Sequence, residues 1–405
     1  MLFVAPTLPA AGGNGLAMRV GMFLEAYAGM ADVDCLVVRL AGGPADEAFC
    51  RRHAQRLDVI EIAGRAETPF ALVSAIADPA IRVSAFRDYG RPSLCGYLSV
   101  PVRDEVRRCV GTARYDLVHI SRAYMLPLLE TVSTACPHAR VIVDLDEDEV
   151  SARRSLARLH RVSGNLLAAE WEEAEALAYA RLAAEARPAV DLVTVASSRE
   201  AARTAMAWRA SRMAVVPNAV TVPPPHQASA APRLILVGSL GYFPNRDAAR
   251  WTLGAIWPRI KARCPEAALW LVGQSAGPAL RRLARRPGVR LLERVRDIGP
   301  AYRSCAVAVA PIRAGGGTRI KIIEAGAYAL PCVSTTIGAE GLSDGRPVGL
   351  ALADSAEGLA DACVERLRSP ALQRSEGRRL RSFVTRKHDR GQTMACVVRL
   401  ASSLC

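Results

Sequence analysis

Between Ala310 and Leu342 the sequence reads APIRAGGGTRIKIIEAGAYALPCVSTTIGAEGL. Three consecutive glycines, Gly315 to Gly317, lead into Thr318, Arg319 and Lys321 at the start of a helical pattern, and one carboxylate, Glu324, lies three residues beyond Lys321. Glycines let backbone N–H groups approach a ligand closely, and the first turn of a helix presents unpaired N–H donors and about half a positive charge. Cations in that turn oppose the helix dipole unless an anion is to be held there. A carboxylate one turn deeper on the same face can accept hydrogen bonds from vicinal hydroxyls such as those of a ribose. Phosphates at the helix mouth with a sugar diol one turn in describe a nucleotide-sugar. A glycine-rich turn before a surface helix with solvated Arg, Lys and Glu is the alternative that these residues alone leave open.

Other residue patterns carry chemistry less directly. Gly12, Gly13, Asn14 and Gly15 follow an apolar run and precede a helical one, so the loop lies beyond the carboxyl end of a strand, where ligands bind in parallel sheets; Gly13 and Asn14 are candidates for a ligand loop, and a plain tight turn explains them as well. The run is not a dinucleotide fingerprint, which would need a glycine where Met18 stands. His119 ends the strand pattern in YDLVHIS, a position where sites gather, although a lone histidine among apolar residues also suits a core. Ser121 and Arg122 beside it could meet an anion. Asp144, Asp146 and Asp148 in VIVDLDEDEV invite a hard-cation reading, but a solvated acidic strand end that partly caps the next helix is the preferred one. In GSLGYFPNRDA, Asn245 reads as a helix N-cap after Pro244, with Arg246 in the first turn.

The elements that must position these residues alternate along the whole chain, the pattern of an α/β protein with parallel sheets. Strand candidates are Leu2–Ala5, Val33–Arg39, Leu57–Ile62, Leu117–Ile120, Val141–Leu145, Leu192–Ala196 and a short Val215–Val216, then Leu234–Val237, Leu269–Val272, Val289–Leu292, Val307–Ala310 and Cys332–Ser334. Long helices are expected at Leu16–Met30 and Leu166–Ala186, and further starts near Asn245, Gly277, Ile298, Ile320 and Ser355. Residues 220–233, with three adjacent prolines, read as a linker between two such halves.

Four segments, in order, resemble the nucleotide-binding half of family 4 glycosyltransferases of GT-B architecture: LILVGSLGYFPNRDAARW, IWPRIKARCPEAALWLVG, VRDIGPAYRSCAVAVAP and GGGTRIKIIEAGAYALPCVSTTIGAEGL; ahead of them VDLVTVASSREAARTAM and VVPNAV resemble the last strands and helices of the acceptor half and the entry to the linker. Within that family the likeness is to bacterial exopolysaccharide-type sugar transferases. The resemblance implies two Rossmann-like α/β domains facing each other across a cleft: an acceptor-side domain at 1–219, the linker at 220–233, a donor-binding domain at 234–370, and helices at 371–405 returning toward the first domain. It implies transfer of a sugar from a nucleotide diphosphate donor to a hydroxyl acceptor, a glycan or lipid-linked glycan, with retention, no bound metal and no cofactor beyond the donor substrate. Arg319 and Lys321 would hold the diphosphate with His119 near the transferred sugar. Gly316, Gly317, Thr318, Glu324, Asn245 and Arg246 would complete the donor site, and Gly13, Asn14 and Arg122 the acceptor side. The family's other glutamate is replaced here by Gly316, which leaves the reader of the donor sugar's hydroxyls open; Glu340 in GAEGL is one candidate. A GT-B nucleotide-sugar 2-epimerase and a catalytically silent nucleotide-sugar-binding partner are the rival readings.

The chain has 405 residues, enough for two cores, and a formal net charge of +14. That balance favours anionic partners; with aromatics at 5% and no nucleic-acid-binding signature, nucleic acid is not expected. The basic pairs Arg51–Arg52, Arg107–Arg108 and Arg153–Arg154 suit an anionic membrane face or an evenly solvated surface equally. Eleven scattered cysteines without a C-x-x-C pair read as free core thiols. The N-terminus lacks a signal-peptide pattern and no apolar run is long enough to span a bilayer, so the expectation is a cytoplasmic protein, peripheral at the inner membrane face if the acceptor is lipid-linked.

Overall fold

A computed structural model describes residues 1–40, 46–208, 212–226, 229, 231–293, 295–342 and 348–404. Its chain divides into two compact units, Met1–Pro217 with Gln392–Cys405, and Asn218–Gly391. The first unit holds a seven-stranded parallel sheet built from β1 (Leu2–Ala5), β2 (Asp34–Arg39), β3 (Arg56–Glu61), β4 (Leu117–Ser121), β5 (Arg140–Asp146), β6 (Leu192–Val195) and β7 (Arg212–Val215), in the order β3-β2-β1-β4-β5-β6-β7. The second holds a six-stranded parallel sheet of β8 (Arg233–Val237), β9 (Ala268–Val272), β10 (Val289–Leu292), β11 (Val307–Ala310), β12 (Cys332–Ser334) and β13 (Leu350–Leu352), in the order β10-β9-β8-β11-β12-β13. Both orders grow outward from the first strand and then reverse, as in Rossmann sheets. The reversal splays the connecting loops apart beyond the carboxyl ends of β1 and β4 in one unit, and of β8 and β11 in the other. β13 is the strand that sequence reading missed, because LAL at Leu350–Leu352 is too short to show periodicity.

Central strands buried on both faces read as continuous apolar runs: β1 and β11 are wholly buried. Each sheet packs in its own hydrophobic core, around Leu36, Val118 and Val143 in the first unit and Leu236, Leu269 and Trp257 in the second. No described helix is long and apolar enough to cross a membrane. All ten described cysteines are free.

The division between units falls two residues ahead of the expected 219/220 boundary. The start of the expected linker is pinned rather than loose: the Val220 N–H donates to the His388 carbonyl at 2.9 Å and its carbonyl accepts from the Arg390 N–H at 3.1 Å. These bonds satisfy backbone groups that a bare tether would leave to water. Residues 227, 228 and 230 of that segment lie outside the described residues. Of the helices expected to return to the first domain, only the segment from Gln392 groups with the first unit. The helix Pro370–Lys387 stays with the second, because a side chain at Gly326 would meet Val384 at 2.7 Å and one at Gly377 would meet the Ala329 carbonyl at 1.9 Å. Paired glycines let this helix press against Ile320–Ala327.

The first unit's interior is organised by charge as well as by apolar packing. Arg19, in the helix Gly15–Ala28, lies 2% exposed and donates from Nε and Nη2 to both Asp144 oxygens at 2.8 and 2.6 Å, and from Nη1 to the Val216 carbonyl at 2.9 Å. The Thr194 hydroxyl donates to Asp144 at 2.7 Å. Burial by itself would push the Asp144 carboxyl up, but Arg19 and these hydrogen bonds hold it below its ordinary value. Asp144 is therefore a buried partner, not the solvated strand end expected, and Asp148 caps the helix Glu149–Val162 through the Ser151 N–H. A depressed carboxylate adds stability above its unfolded pKa of about 3.9 that is lost as pH falls below it. Replacing Asp144 by Asn strands a buried guanidinium without countercharge. We expect a loss of about 3–5 kcal/mol in urea unfolding at neutral pH, and a smaller difference from the parent protein in acid, where the parent also loses the pair.

Candidate functional site

The second unit's order reversal leaves a crevice between the loops after β8 and β11, and the glycine run occupies the latter. Gly315 and Gly317 have φ of 118° and 74°, a region that favours glycine, so the chain can coil from β11 into the helix Ile320–Ala327. Arg319 is the residue before that helix; its Nη1 donates to the Gly316 carbonyl. A Cβ at Gly315 would sit 3.3 Å from Arg319 Nη2, so glycine there leaves the guanidinium its place. Arg319 Nε and Nη2 and the Thr318 hydroxyl are buried without a hydrogen-bond partner among the described residues. Buried donors of this kind are normally satisfied, and here they gather at a helix mouth.

Lys321 and Glu324 follow on the same face. Lys321 Nζ donates to Asn245 Oδ1, and Tyr302, fully buried, donates its hydroxyl to Glu324 Oε2 at 3.2 Å. Burial, and then the charge of Arg319, lower the Lys321 ammonium to about 7. Burial raises the Glu324 carboxyl to about 7, against the opposing pull of Tyr302 and Lys321. Asn245 is not the N-cap expected: Tyr242 holds that position for the helix Phe243–Trp251, and Asn245 lies inside it, donating from Nδ2 to the Ser239 carbonyl at 3.0 Å. Gly238 makes this possible, since a Cβ there would meet Asn245 Cγ at 2.8 Å. Arg246 folds back onto its own loop, donating to the Gly241 carbonyl at 3.2 Å and lying over the Phe243 ring. Glu340 follows β12, the neighbour of β11. Its loop is tied to the glycine loop by Ser334 and Thr335 hydroxyls, which donate to the carbonyls of Ala310 (2.9 Å) and Ile312.

Sequence reading missed the pair that fixes the two loops. Arg313 donates from Nε and Nη2 to Asp247 at 2.9 and 2.7 Å and lies 4.9 Å over the Trp251 ring, joining the glycine loop to the helix behind the β8 loop. Arg313 precedes the glycines and Asp247 follows Arg246, but nothing in their spacing reveals that they meet across 66 residues.

The first-unit candidates fare differently. His119 is fully buried among Phe3, Phe23 and Tyr27, with Nδ1 bonded to the Tyr27 hydroxyl at 2.9 Å and Nε2 to Ser121 Oγ at 3.0 Å. Burial lowers its pKa to about 4, so it is neutral at physiological pH. This is a core histidine and not the sugar-facing residue expected, since both ring nitrogens are used inside the unit. Arg122 donates from Nη1 and Nη2 to Asp146, Glu147 and Glu149 at 3.1, 2.7 and 2.5 Å, with its buried Nε left without a partner among the described residues. Three carboxylates around one guanidinium leave it poorly suited to hold an anionic acceptor. Asn14 caps the helix Gly15–Ala28 through the Ala17 N–H at 2.9 Å, and Gly13, at φ 107°, lies exposed with open space where a Cβ would be.

Residues 231–369 match the family model described as glycosyl transferases group 1. No curated protein matches the sequence. Among solved structures, the chain is similar to Anabaena HepE in complex with UDP and glucose (16% identity, 99% of each chain, TM-score 0.65). It is also similar to sucrose-phosphate synthase from Thermosynechococcus elongatus (15% identity, 100% of this chain and 98% of that one, TM-score 0.66). A third likeness is to a UDP-forming trehalose-phosphate synthase from Burkholderia xenovorans crystallised with glucose-6-phosphate (12% identity, 100% and 99%, TM-score 0.65). At these identities the likeness is one of fold, and it runs the length of the chain. The two reversing parallel sheets are those of the GT-B fold, and residues 231–369, within the second unit, are the part that matches the glycosyl transferases group 1 model.

Proposed function

We propose that the protein moves a sugar from a nucleotide diphosphate donor to a hydroxyl acceptor, a glycan or lipid-linked glycan in polysaccharide assembly at the inner face of the cell membrane, with retention and without a bound metal. The observation that carries the donor half is the group of buried, unpartnered donors at the mouth of Ile320–Ala327: Thr318 Oγ and Arg319 Nε and Nη2. The backbone N–H groups of Gly316, Gly317 and Thr318 add to them, having no backbone acceptor among the described residues. A diphosphate supplies acceptors for all of these at once. Lys321 and the helix dipole add positive charge where the leaving diphosphate gains negative charge, which is how such a site speeds bond cleavage. Glu324, steadied by Tyr302, would receive the ribose hydroxyls. HepE was crystallised with UDP and glucose, which makes a UDP-sugar the first donor to try.

Calorimetric titration with nucleosides, nucleoside diphosphates and nucleotide-sugars, with and without chelator, followed by product assays, tests this reading. Arg319→Ala should weaken diphosphate binding at least about tenfold and slow transfer by roughly 100-fold or more, while leaving the weak affinity for the nucleoside unchanged. Equal losses for nucleoside and diphosphate would move the anion elsewhere. Activity abolished by chelator would overturn the metal-free mechanism. Epimer formation without acceptor would replace transfer with epimerisation, and binding without any product would leave a silent partner.

The titration of Lys321 gives a second expectation. An anion favours the protonated ammonium, so binding above pH 7 must take up a proton, and affinity falls with rising pH. Between roughly pH 6 and pH 9 the diphosphate dissociation constant should rise by up to about tenfold per pH unit once Lys321 is neutral. Ionisation of Glu324 over the same range acts in the same direction by adding negative charge. Lys321→Arg, which stays protonated, should flatten the profile; an equally steep profile in that variant would remove Lys321 as its cause.

A further inference from the structure

The helix Pro370–Lys387 turns Gln373, Glu376, Gly377, Leu380 and Val384 into the second unit. Its other face carries Arg374, Arg378, Arg379 and Arg386, all exposed, with Lys387 at its end. At 3.6 residues per turn the four arginines fall within a sector of about 140° on a helix about 27 Å long. No carboxylate shares that face, because Glu376 points inward to a bidentate pair with Arg366, both bonds at 2.7 Å. Among the described residues none of these five cations forms an ion pair.

The contrast with the pairs visible in the sequence is informative. Arg51 meets Glu47 at 2.6 Å, Arg107 meets Asp104 at 2.5 Å, and Arg153 turns inward to Glu149 and Glu172. One member of each expected basic pair is thus already answered by an acid. On Pro370–Lys387, by contrast, Arg374 and Arg378 stand one turn apart with like charge, an arrangement that costs an isolated helix stability. Only Arg386 and Lys387, in the last turn, are favoured by the helix dipole.

We propose that this face is an electrostatic docking surface for an anionic lipid bilayer. An extended row of arginines with no groove fits the spread-out charge of a membrane plane better than a single pocketed phosphate. The helix has one aromatic residue, Phe383, half-buried at the edge of the row with its ring 5.3 Å from that of His388, so no fully exposed ring stands among the cations for nucleic-acid bases to stack on. The large apolar residues that border the face, Leu372 and Phe383, are half-buried and none is fully exposed, so attachment is mainly electrostatic and reversible, and salt weakens it steeply. The choice of a membrane as partner rests on the proposed location of the acceptor; the surface itself does not depend on the transfer reaction.

Co-sedimentation of the full chain with phosphatidylcholine vesicles, with and without phosphatidylglycerol, at low and high salt, reads the proposal directly and needs neither donor nor acceptor. A failure here leaves the transfer reading intact, and a failure of nucleotide titration leaves this one intact. The expected result is binding only to phosphatidylglycerol vesicles at low salt. Each cation near such a surface is worth roughly fivefold in partitioning, so the variant R374Q/R378Q/R379Q/R386Q should bind more than about 100-fold more weakly. A control of equal charge, R51Q/R107Q/R140Q/R161Q, removes arginines paired with acids in the first unit and should keep most of the binding. Unchanged circular dichroism and unchanged nucleotide affinity in the first variant would show that it is folded. Absence of binding by the parent protein, equal losses in both variants, or binding to neutral vesicles would each overturn the proposal, as would retention on single-stranded RNA in place of vesicles.

Discussion

Two cations set two residues apart with no carboxylate bonded to either are the constraint around which the second unit is built. Arg319 and Lys321 find a backbone carbonyl and an amide oxygen as hydrogen-bond partners, and the carboxylate nearby, Glu324, is itself pushed toward its neutral form. Burial, and after it the like charge of Arg319, lower the Lys321 ammonium to about 7. The surroundings hold this arrangement against its cost. Glycines at 315 and 238 clear space for the Arg319 and Asn245 side chains, Arg313 and Asp247 clamp the loops, and paired glycines bring the Pro370–Lys387 helix against the base of Ile320–Ala327. An anion at the mouth would relieve the repulsion.

The first unit resolves its buried charge in the opposite way. Arg19 is matched by Asp144, and Arg122 by Asp146, Glu147 and Glu149, so each guanidinium is neutralised within the unit. These networks lie at the carboxyl ends of β4 and β5, where the sheet order alone would lead one to seek a ligand. Here the same edge is closed by ion pairs. Positive φ at Arg122 and Asp146, 77° and 59°, accompanies that closure.

Much of the second unit was legible in the residues. The glycine run, the cations and Glu324 are local in sequence, and a helix start converts their spacing directly into geometry. Apolar runs placed most of the strands because central parallel strands are buried on both faces, and β13 escaped because three residues carry no period. The ordered segments resembling GT-B glycosyltransferases pointed to the same fold as the long-range likeness to HepE and the synthases.

What the sequence could not carry were contacts between distant residues and the direction in which a side chain points. His119 and Arg122 have the residue types of a site at a suitable strand end, but alternation along β4 turns His119 into the aromatic core, and three acids from the β5 turn and the helix after it converge on Arg122. Asn245 has the type of an N-cap, yet the helix begins two residues earlier and frees its amide to reach Lys321. The Arg313–Asp247 clamp and the acid-free face of Pro370–Lys387 depend on which carboxylates fold nearby. Sequence alone determined the local chemistry and the order of the strands' apolar runs. Tertiary structure decided which charges were answered and which were left open, because neutralisation depends on distance in space and not along the chain.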